Sequence, residues 1–253
     1  MKIISYNVNG IRAALSKGLI DWLKSTDADI VCIQELKATP EQFDTAQFED
    51  LGYHCFWNPS VKKGYSGVGL LSRAKPDKVV FGFGKEIYDQ EGRVIRADIG
   101  DKSFLSLYIP SGSSGDERQD FKMEFLDFFT DWTIDLLRQR PNLVISGDFN
   151  ICHQAIDIHD PIRNATSSGF LPEEREWFSG FLDIGLTDSF RFLHPKVQKY
   201  SWWSFRANSR AKNLGWRIDY HLVSEGLKNQ IRQAGIDNDV VHSDHCPVWV
   251  ELA

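Results

Sequence analysis

The 253-residue chain lacks the marks of several large protein classes. Its four cysteines, Cys32, Cys55, Cys152 and Cys246, are widely spaced, with no CxxC pair and no Cys/His zinc spacing. That excludes a disulfide framework and a zinc module, and points to free thiols in a reducing compartment. No apolar run is long enough to cross a bilayer. There is no internal repeat, low-complexity tract or Pro/Gly/Ser-rich linker, so one domain over residues 1–253 is expected. The chain starts almost directly in a strand-like run, Lys2-Ile3-Ile4-Ser5-Tyr6, so no signal or transit segment is expected. Positive charge is not in excess: the formal net charge is −6, which argues against a protein that coats nucleic acid by bulk electrostatics.

The charge that is present is uneven. Between Asp188 and Asp219 no acidic residue occurs, while Arg191, Lys196, Lys199, Arg206, Arg210, Lys212 and Arg217 are basic. Aromatics make up 13% of the chain and include eight Trp. Basic and aromatic residues interleave in Tyr200–Arg210, a composition suited to neutralising phosphates and stacking where a base is displaced. A packed hairpin with a solvated basic loop is the structural alternative.

Hydrophobic periodicity predicts strands at Lys2–Ile4, Ile30–Ile33, Tyr53–Trp57, Val68–Leu71, Val79–Phe81, Val94–Ile99 and Phe104–Tyr108. It predicts more at Leu143–Ser146, Tyr200–Trp203, Trp216–Val223, Asp239–Val241 and Pro247–Leu252. Helices are expected over Ile11–Lys24, from Thr39-Pro40, over Asp120–Leu137 and from Pro172 to Leu182. The mixture implies an α/β fold of two packed sheets with helices outside.

Polar clusters stand where these runs end: Ser5-Tyr6-Asn7, Gln34-Glu35, Gly147-Asp148-Phe149-Asn150, Asp219-Tyr220 and Ser243-Asp244-His245. Strand ends are where α/β sheets gather ligands. After the strand that ends at Ser146, Gly147 is expected to let the chain turn, Asp148 can take a proton from water and Asn150 can donate to a phosphate oxygen. Asp219, in an apolar run, needs a partner, and His245 is a reasonable one. Glu35 and Asp244 can offer oxygens to Mg²⁺, Asn7 can support them, and Tyr108 can hydrogen-bond a phosphate. Singly, each has a plain structural reading, an Asx-turn for Asp148 and Asn150 among them. Jointly they describe phosphodiester hydrolysis assisted by a hard metal ion.

The quoted clusters, with Gly64–Gly69, Asp89-Gln90-Glu91-Gly92-Arg93, Tyr108-Ile109-Pro110, Gly169-Phe170, Asn208-Ser209-Arg210 and Gly215–Tyr220, resemble the exonuclease III family of abasic-site endonucleases in order and along the whole chain. The resemblance implies a four-layer α/β sandwich of two mixed sheets flanked by helices, like deoxyribonuclease I. It implies cleavage of double-stranded DNA 5′ to abasic sites, with 3′→5′ exonuclease and 3′-end-cleaning activity, in base excision repair. It implies Mg²⁺, with Mn²⁺ as a possible substitute, a monomer, and a cytoplasmic, nucleoid-associated setting without membrane contact. By resemblance Glu35 is the main metal ligand, with Asn7, Asp148, Asn150, Asp244 and His245 around it. Tyr108, Asp148, Asn150, Asp219 and His245 carry the chemistry. Arg12, Asn164, Trp202, Trp203, Asn208, Arg210, Lys212 and Trp216 contact DNA. Ser111 stands where some members have Asn and can still donate one hydrogen bond, and Asn9 stands where some have Asp, which leaves one metal ion or two open. A phosphoinositide or sphingomyelin phosphodiesterase on the same scaffold is disfavoured by the basic aromatic stretch. A non-catalytic DNA-binding module would have lost some of the catalytic side chains, and all are present.

Overall fold

The computed structural model describes residues 1–253. Twelve strands occur: β1 Lys2–Asn7, β2 Ile30–Gln34, β3 His54–Asn58, β4 Val68–Ser72, β5 Lys78–Phe81, β6 Val94–Ile99, β7 Lys102–Tyr108, β8 Asn142–Asp148, β9 Leu186–Asp188, β10 Asp219–Ser224, β11 Ile231–Ile236 and β12 Val248–Leu252. The helices are α1 Ile11–Ser16, α2 Leu19–Thr26, α3 Ala46–Glu49, α4 Glu86–Asp89, α5 Asp116–Gln139, α6 Pro172–Asp183, α7 Ser189–Leu193 and α8 Glu225–Lys228. The strands form two six-stranded sheets, ordered β11-β12-β1-β2-β4-β3 and β5-β6-β7-β8-β10-β9. Each has one parallel pair, β1–β2 and β7–β8, among antiparallel neighbours.

The inner faces meet in a core that includes Ile3, Cys32, Leu70, Ile95, Phe104, Val144, Val223 and Val250. A second core, with Leu105, Ile145, Phe125, Phe129 and Phe181, lies between the second sheet and α5 and α6. A third, with Ile4, Val31, Ile11, Leu19 and Leu23, lies under α1 and α2. The layers therefore run helix, sheet, sheet, helix. Because the central strands are covered on both faces, β2, β4 and β10 are buried along their whole length, and β2 and β4 read as near-continuous apolar runs rather than alternating ones. Each fully buried Leu, Ile or Phe contributes roughly 1.5–3 kcal/mol.

Several expected elements differ. The helix over 11–24 is two helices, broken where Gly18 turns left-handed at φ +94°. β10 begins at Asp219, and the run before it makes only isolated bridges at Trp216, to Ile158 and Trp202. Tyr200–Trp203 is likewise reduced to bridges at Trp202. Asp239–Val241 is no strand but the exit of a turn closed by the Val240 amide on the Asp237 carbonyl, and Val241 is exposed. The short β9 and the edge strand β11 were not expected. Gly147 does not make a turn either. It lies inside β8, paired with Leu107 and Tyr220, and a Cβ there would strike the Leu107 carbonyl. The chain turns three residues on, at Asn150, where φ is +52°.

Candidate active site

Strand register builds the floor of the site. Tyr108 pairs with Asp148 across β7–β8, and Asp148 with Asp219 across β8–β10, so three polar residues stand in one row at the end of the second sheet. In the first sheet Asn7 pairs with Gln34, and Glu35 follows in a left-handed conformation, φ +55°. Asn7 joins the two sheets, its Nδ2 donating to Glu35 Oε1 and Asp148 Oδ2 at 2.8 Å each. His245 arrives on a loop held against Ser201–Trp203 by two hydrogen bonds, Trp203 N–H to the Asp244 carbonyl and Cys246 N–H to the Ser201 carbonyl.

Within this frame His245 Nδ1 is 2.9 Å from Asp219 Oδ2, and Nε2 is 3.9 Å from Asp148 Oδ2. Asp219 is steadied by its own amide donating to Ser201 Oγ. Burial alone would lower the His245 pKa, but Asp219, then Asp148 and Asp244, outweigh it, so the ring is held as an imidazolium. Asp148 is pushed up by burial and by the Asp219 carboxylate, against the pull of His245. Burial would also raise Glu35, yet the Lys37 ammonium, 2.7 Å from Oε2, and the Asn7 amide bring it below the usual range. Tyr108 is raised well above the ordinary phenol by burial, then by Glu35 and Asp148, so its hydroxyl stays protonated.

Above the floor lies a cleft of about 330 Å³, lined by Glu35, Tyr108, Asn150, Trp202, Trp216, Asp244 and His245 together with Ser111, Ser113, Ser168, Gly169 and Ile218. Trp202 and Trp216 meet edge to face, with ring centroids 5.9 Å apart. Asp148 is fully buried beneath this lining.

The donor chemistry fits a hard divalent cation. One ligand atom from each of Glu35, Asp148 and His245 lies within 4.8 Å of the others. Asp219 Oδ1 is buried without a hydrogen-bond partner. Carboxylate oxygens are the ligands such ions prefer, and Glu35 and Asp148 supply them. His245, protonated on both nitrogens, has no lone pair to offer in that state and suits an anionic group instead.

Other expected ligands are otherwise engaged. Asn7 Oδ1 accepts from the Asn9 amide, so Asn7 locks two carboxylates rather than facing a cation. Asp244 accepts from Asn9 Nδ2, Ser243 Oγ and Trp202 Nε1 and stands outside the cluster, on the cleft wall. Asn150 commits Nδ2 to the Ile109 carbonyl at 2.9 Å, while its backbone amide donates to Asp148 Oδ1. The Asx-turn reading of these residues thus holds alongside the position of Asn150 in the cleft.

Among the expected DNA contacts, Trp202 and Trp216 line the cleft and Trp203 does not. Trp203 is 3% exposed, packed in the inter-sheet core because Ser201–Trp203 zips onto the His245 loop. Arg210 spans from the 206–213 loop to the carbonyls of Ser243, Asn238 and Val240, with its guanidinium 4.7 Å over the Trp203 ring. It is a strut rather than a free cation. Arg12, Asn208 and Lys212 are exposed, and Asn164 closes its own loop on the carbonyls of His159 and Asp160. Sequence reading missed Lys37 and Ser201. It also missed the buried Arg93, which donates to the Tyr108 carbonyl and lies 4.8 Å over the Tyr108 ring. Ser201 and Arg93 act on partners distant in sequence, which leave no local pattern, whereas Lys37 stands two residues from Glu35.

A buried Asp–His pair beside two carboxylates, set where the ends of two packed mixed sheets meet on a deoxyribonuclease I-like sandwich, is the candidate site of a metal-dependent nuclease. Residues 4–245 match the Endonuclease/Exonuclease/phosphatase family, and the chain belongs to it. It is 46% identical over 250 residues to an exodeoxyribonuclease of Bacillus subtilis, covering 98% of each chain. It is 40% identical over 256 residues to the DNA repair nuclease APEX1 of Danio rerio, covering 100% of this chain and 82% of that one. Among solved structures, the Neisseria 3′ phosphatase NExo bound to a product DNA hairpin superposes with a TM-score of 0.93 at 31% identity, covering 100% and 99% of the two chains. An AP endonuclease from Archaeoglobus fulgidus superposes at 0.92 and 30% identity, with the same coverage. No helix is long and apolar enough to cross a membrane.

Proposed function

We propose that this nuclease hydrolyses the backbone of double-stranded DNA on the 5′ side of abasic sites, leaving a 3′-hydroxyl, as a step of base excision repair. The observation that carries the reading is the buried Asp219–His245 pair beside Asp148 and Glu35, at the floor of a cleft walled by two tryptophans. The APEX1 and AP endonuclease relatives and the DNA-bound Neisseria structure support the substrate class. Mg²⁺, or Mn²⁺ in its place, suits the donor set. Glu35 and Asp148 would hold it, and when bound it supplies charge neutralisation at the scissile phosphate.

The side chains supply the rest. A water oxygen attacks phosphorus in line with the 3′-oxygen, and Asp148 takes the proton that the water gives up. Hydrogen bonds from the Asn7 side-chain amide to Oδ2 and from the Asn150 backbone amide to Oδ1 hold the carboxylate in place for this. His245 donates from Nε2–H to a phosphate oxygen as charge grows there, while Asp219 keeps the ring oriented through Nδ1–H. The Tyr108 hydroxyl and the Asn150 side chain steady the same group from the cleft wall. The bond from phosphorus to the 3′-oxygen breaks, and the 3′-oxygen leaves as a hydroxyl with a proton from solvent. Trp202 and Trp216 bound a space that admits a flipped sugar without a base, and a damaged site is the least costly to unstack. The same floor facing a 3′ terminus would give 3′→5′ exonuclease and 3′-end cleaning.

The test is cleavage of an end-labelled duplex with one synthetic abasic site, with Mg²⁺ and with EDTA, beside an intact duplex. A single Mg²⁺-dependent cut 5′ to the lesion is expected. No cut at any Mg²⁺ or Mn²⁺ level would sink the reading.

A further inference from the structure

Outside the catalytic floor lies a second buried ion pair that the mechanism above does not use. Lys122 on α5 and Glu174 on α6 have fully buried side chains and bond to each other. Two charges so far from water are costly to bury, and their mutual attraction alone does no more for the fold than an apolar pair of similar size would. Their other contacts are specific. Lys122 Nζ donates to the Asn150 carbonyl at 2.9 Å. Glu174 Oε2 accepts from the amides of Gly169, at 2.6 Å, and Leu171, at 3.0 Å. Its Oε1 also accepts from Gln119, whose own Oε1 takes the Ser168 hydroxyl. The pair thus holds two neighbouring pieces of cleft wall. One is the turn that keeps Asn150 left-handed, and the other is the Ser168–Gly169 segment. These pieces are closely fitted: a Cβ on Gly169 would sit 3.0 Å from both the Asn150 carbonyl oxygen and the Trp216 ring.

We infer that Lys122 and Glu174 form a positioning pair, which fixes the Asn150 backbone and so aims the Asn150 side chain at the reacting phosphate. Neither residue touches the cleft, and the inference rests on the proposed role of Asn150. A displacement of about 1 Å at such a group can cost about a hundredfold in rate, far more than the same shift costs in stability.

The experiment compares four proteins on the abasic duplex with Mg²⁺: wild type, Lys122→Met/Glu174→Met, Asn150→Gly and the triple variant. Glycine keeps φ +52° accessible while removing the amide. The paired variant should stay folded with a lowered urea midpoint, because the Gly169 and Leu171 amides and the Asn150 carbonyl lose their partners, and should lose about 10- to 100-fold in kcat, with KM changed less than about threefold. On top of Asn150→Gly the same replacement should cost less than about twofold, because the group it aims is gone. Should the apolar pair fail to fold, Glu174→Gln carries the same expectations. Near-normal kcat in the folded paired variant, or an undiminished loss on top of Asn150→Gly, would overturn the inference and leave the catalytic reading intact. Full activity of Asn150→Gly alone would instead remove the role of Asn150, and the inference with it.

Discussion

The floor of the site and the 204–214 loop beside it are built on opposite plans. Asn7, Asp148, Asp219 and His245 are each at most 4% exposed, and every one is tied by a side-chain hydrogen bond to a different strand or to the His245 loop. In the loop, Phe205 is 72% exposed, Arg206, Asn208 and Lys212 face solvent, and Ala207, Asn208 and Asn213 hold positive φ. That loop is fastened at few points, chiefly by Arg210 and by Trp203 Nε1, which donates to Asn213 Oδ1. Under the proposed function the contrast separates two tasks. Proton transfer and charge stabilisation need fixed distances, which strand register supplies. Meeting a DNA surface needs cations and rings that can adapt, which an exposed loop supplies.

Substitutions can break this division. The largest effect is expected in the floor: Asp148→Asn and His245→Gln should each lower single-turnover cleavage of an abasic duplex by about 10³-fold or more, with Kd by fluorescence anisotropy changed only a few-fold. Next is Gly147→Ala, where the new Cβ meets the Leu107 carbonyl inside a covered strand. It should cost about 3 kcal/mol or more in urea unfolding, because backbone cannot move aside cheaply.

A comparable effect is expected with pH. His221 bridges the two sheets, with Nδ1 2.7 Å from Ser146 Oγ and Nε2 donating to the Val248 carbonyl. Burial lowers its pKa from 6.5 to about 4. The unfolded chain therefore binds a proton that the folded one refuses, so stability is full above pH 6.5 and declines as pH falls towards 4. The loss should reach about 3 kcal/mol from this group, and His221→Gln should flatten that part of the urea-stability profile. The smallest effect belongs to the loop. Lys212→Ala should weaken DNA binding a few-fold and reduce the salt slope by about 0.9 if it meets one phosphate, leaving kcat unchanged.

The same contrast governs how much could be read in the sequence. The floor was legible because its strands are unbroken apolar runs, and a polar residue at the end of such a run, Asn7, Glu35 or Asp148, stands out. The pairing of Asp219 with His245 followed from the cost of an unpaired buried carboxylate. What stayed hidden depends on contacts distant in sequence. Trp202 and Trp203 are adjacent, and only the docking of Ser201–Trp203 on the His245 loop decides which one is buried. Arg210 reads as a loop cation until its carbonyl partners, 28 to 33 residues away, are seen. Gly147 reads as a turn residue because the approach of Leu107 leaves no local trace.

The most direct test of the division is one experiment on Asp219→Asn, which keeps the shape of the residue but gives up the charge beside His245. Single-turnover rate and Kd would be measured together on the abasic duplex with Mg²⁺. The account predicts a rate at least about a hundredfold lower with Kd nearly unchanged. An unchanged rate, or a loss confined to Kd, would contradict it.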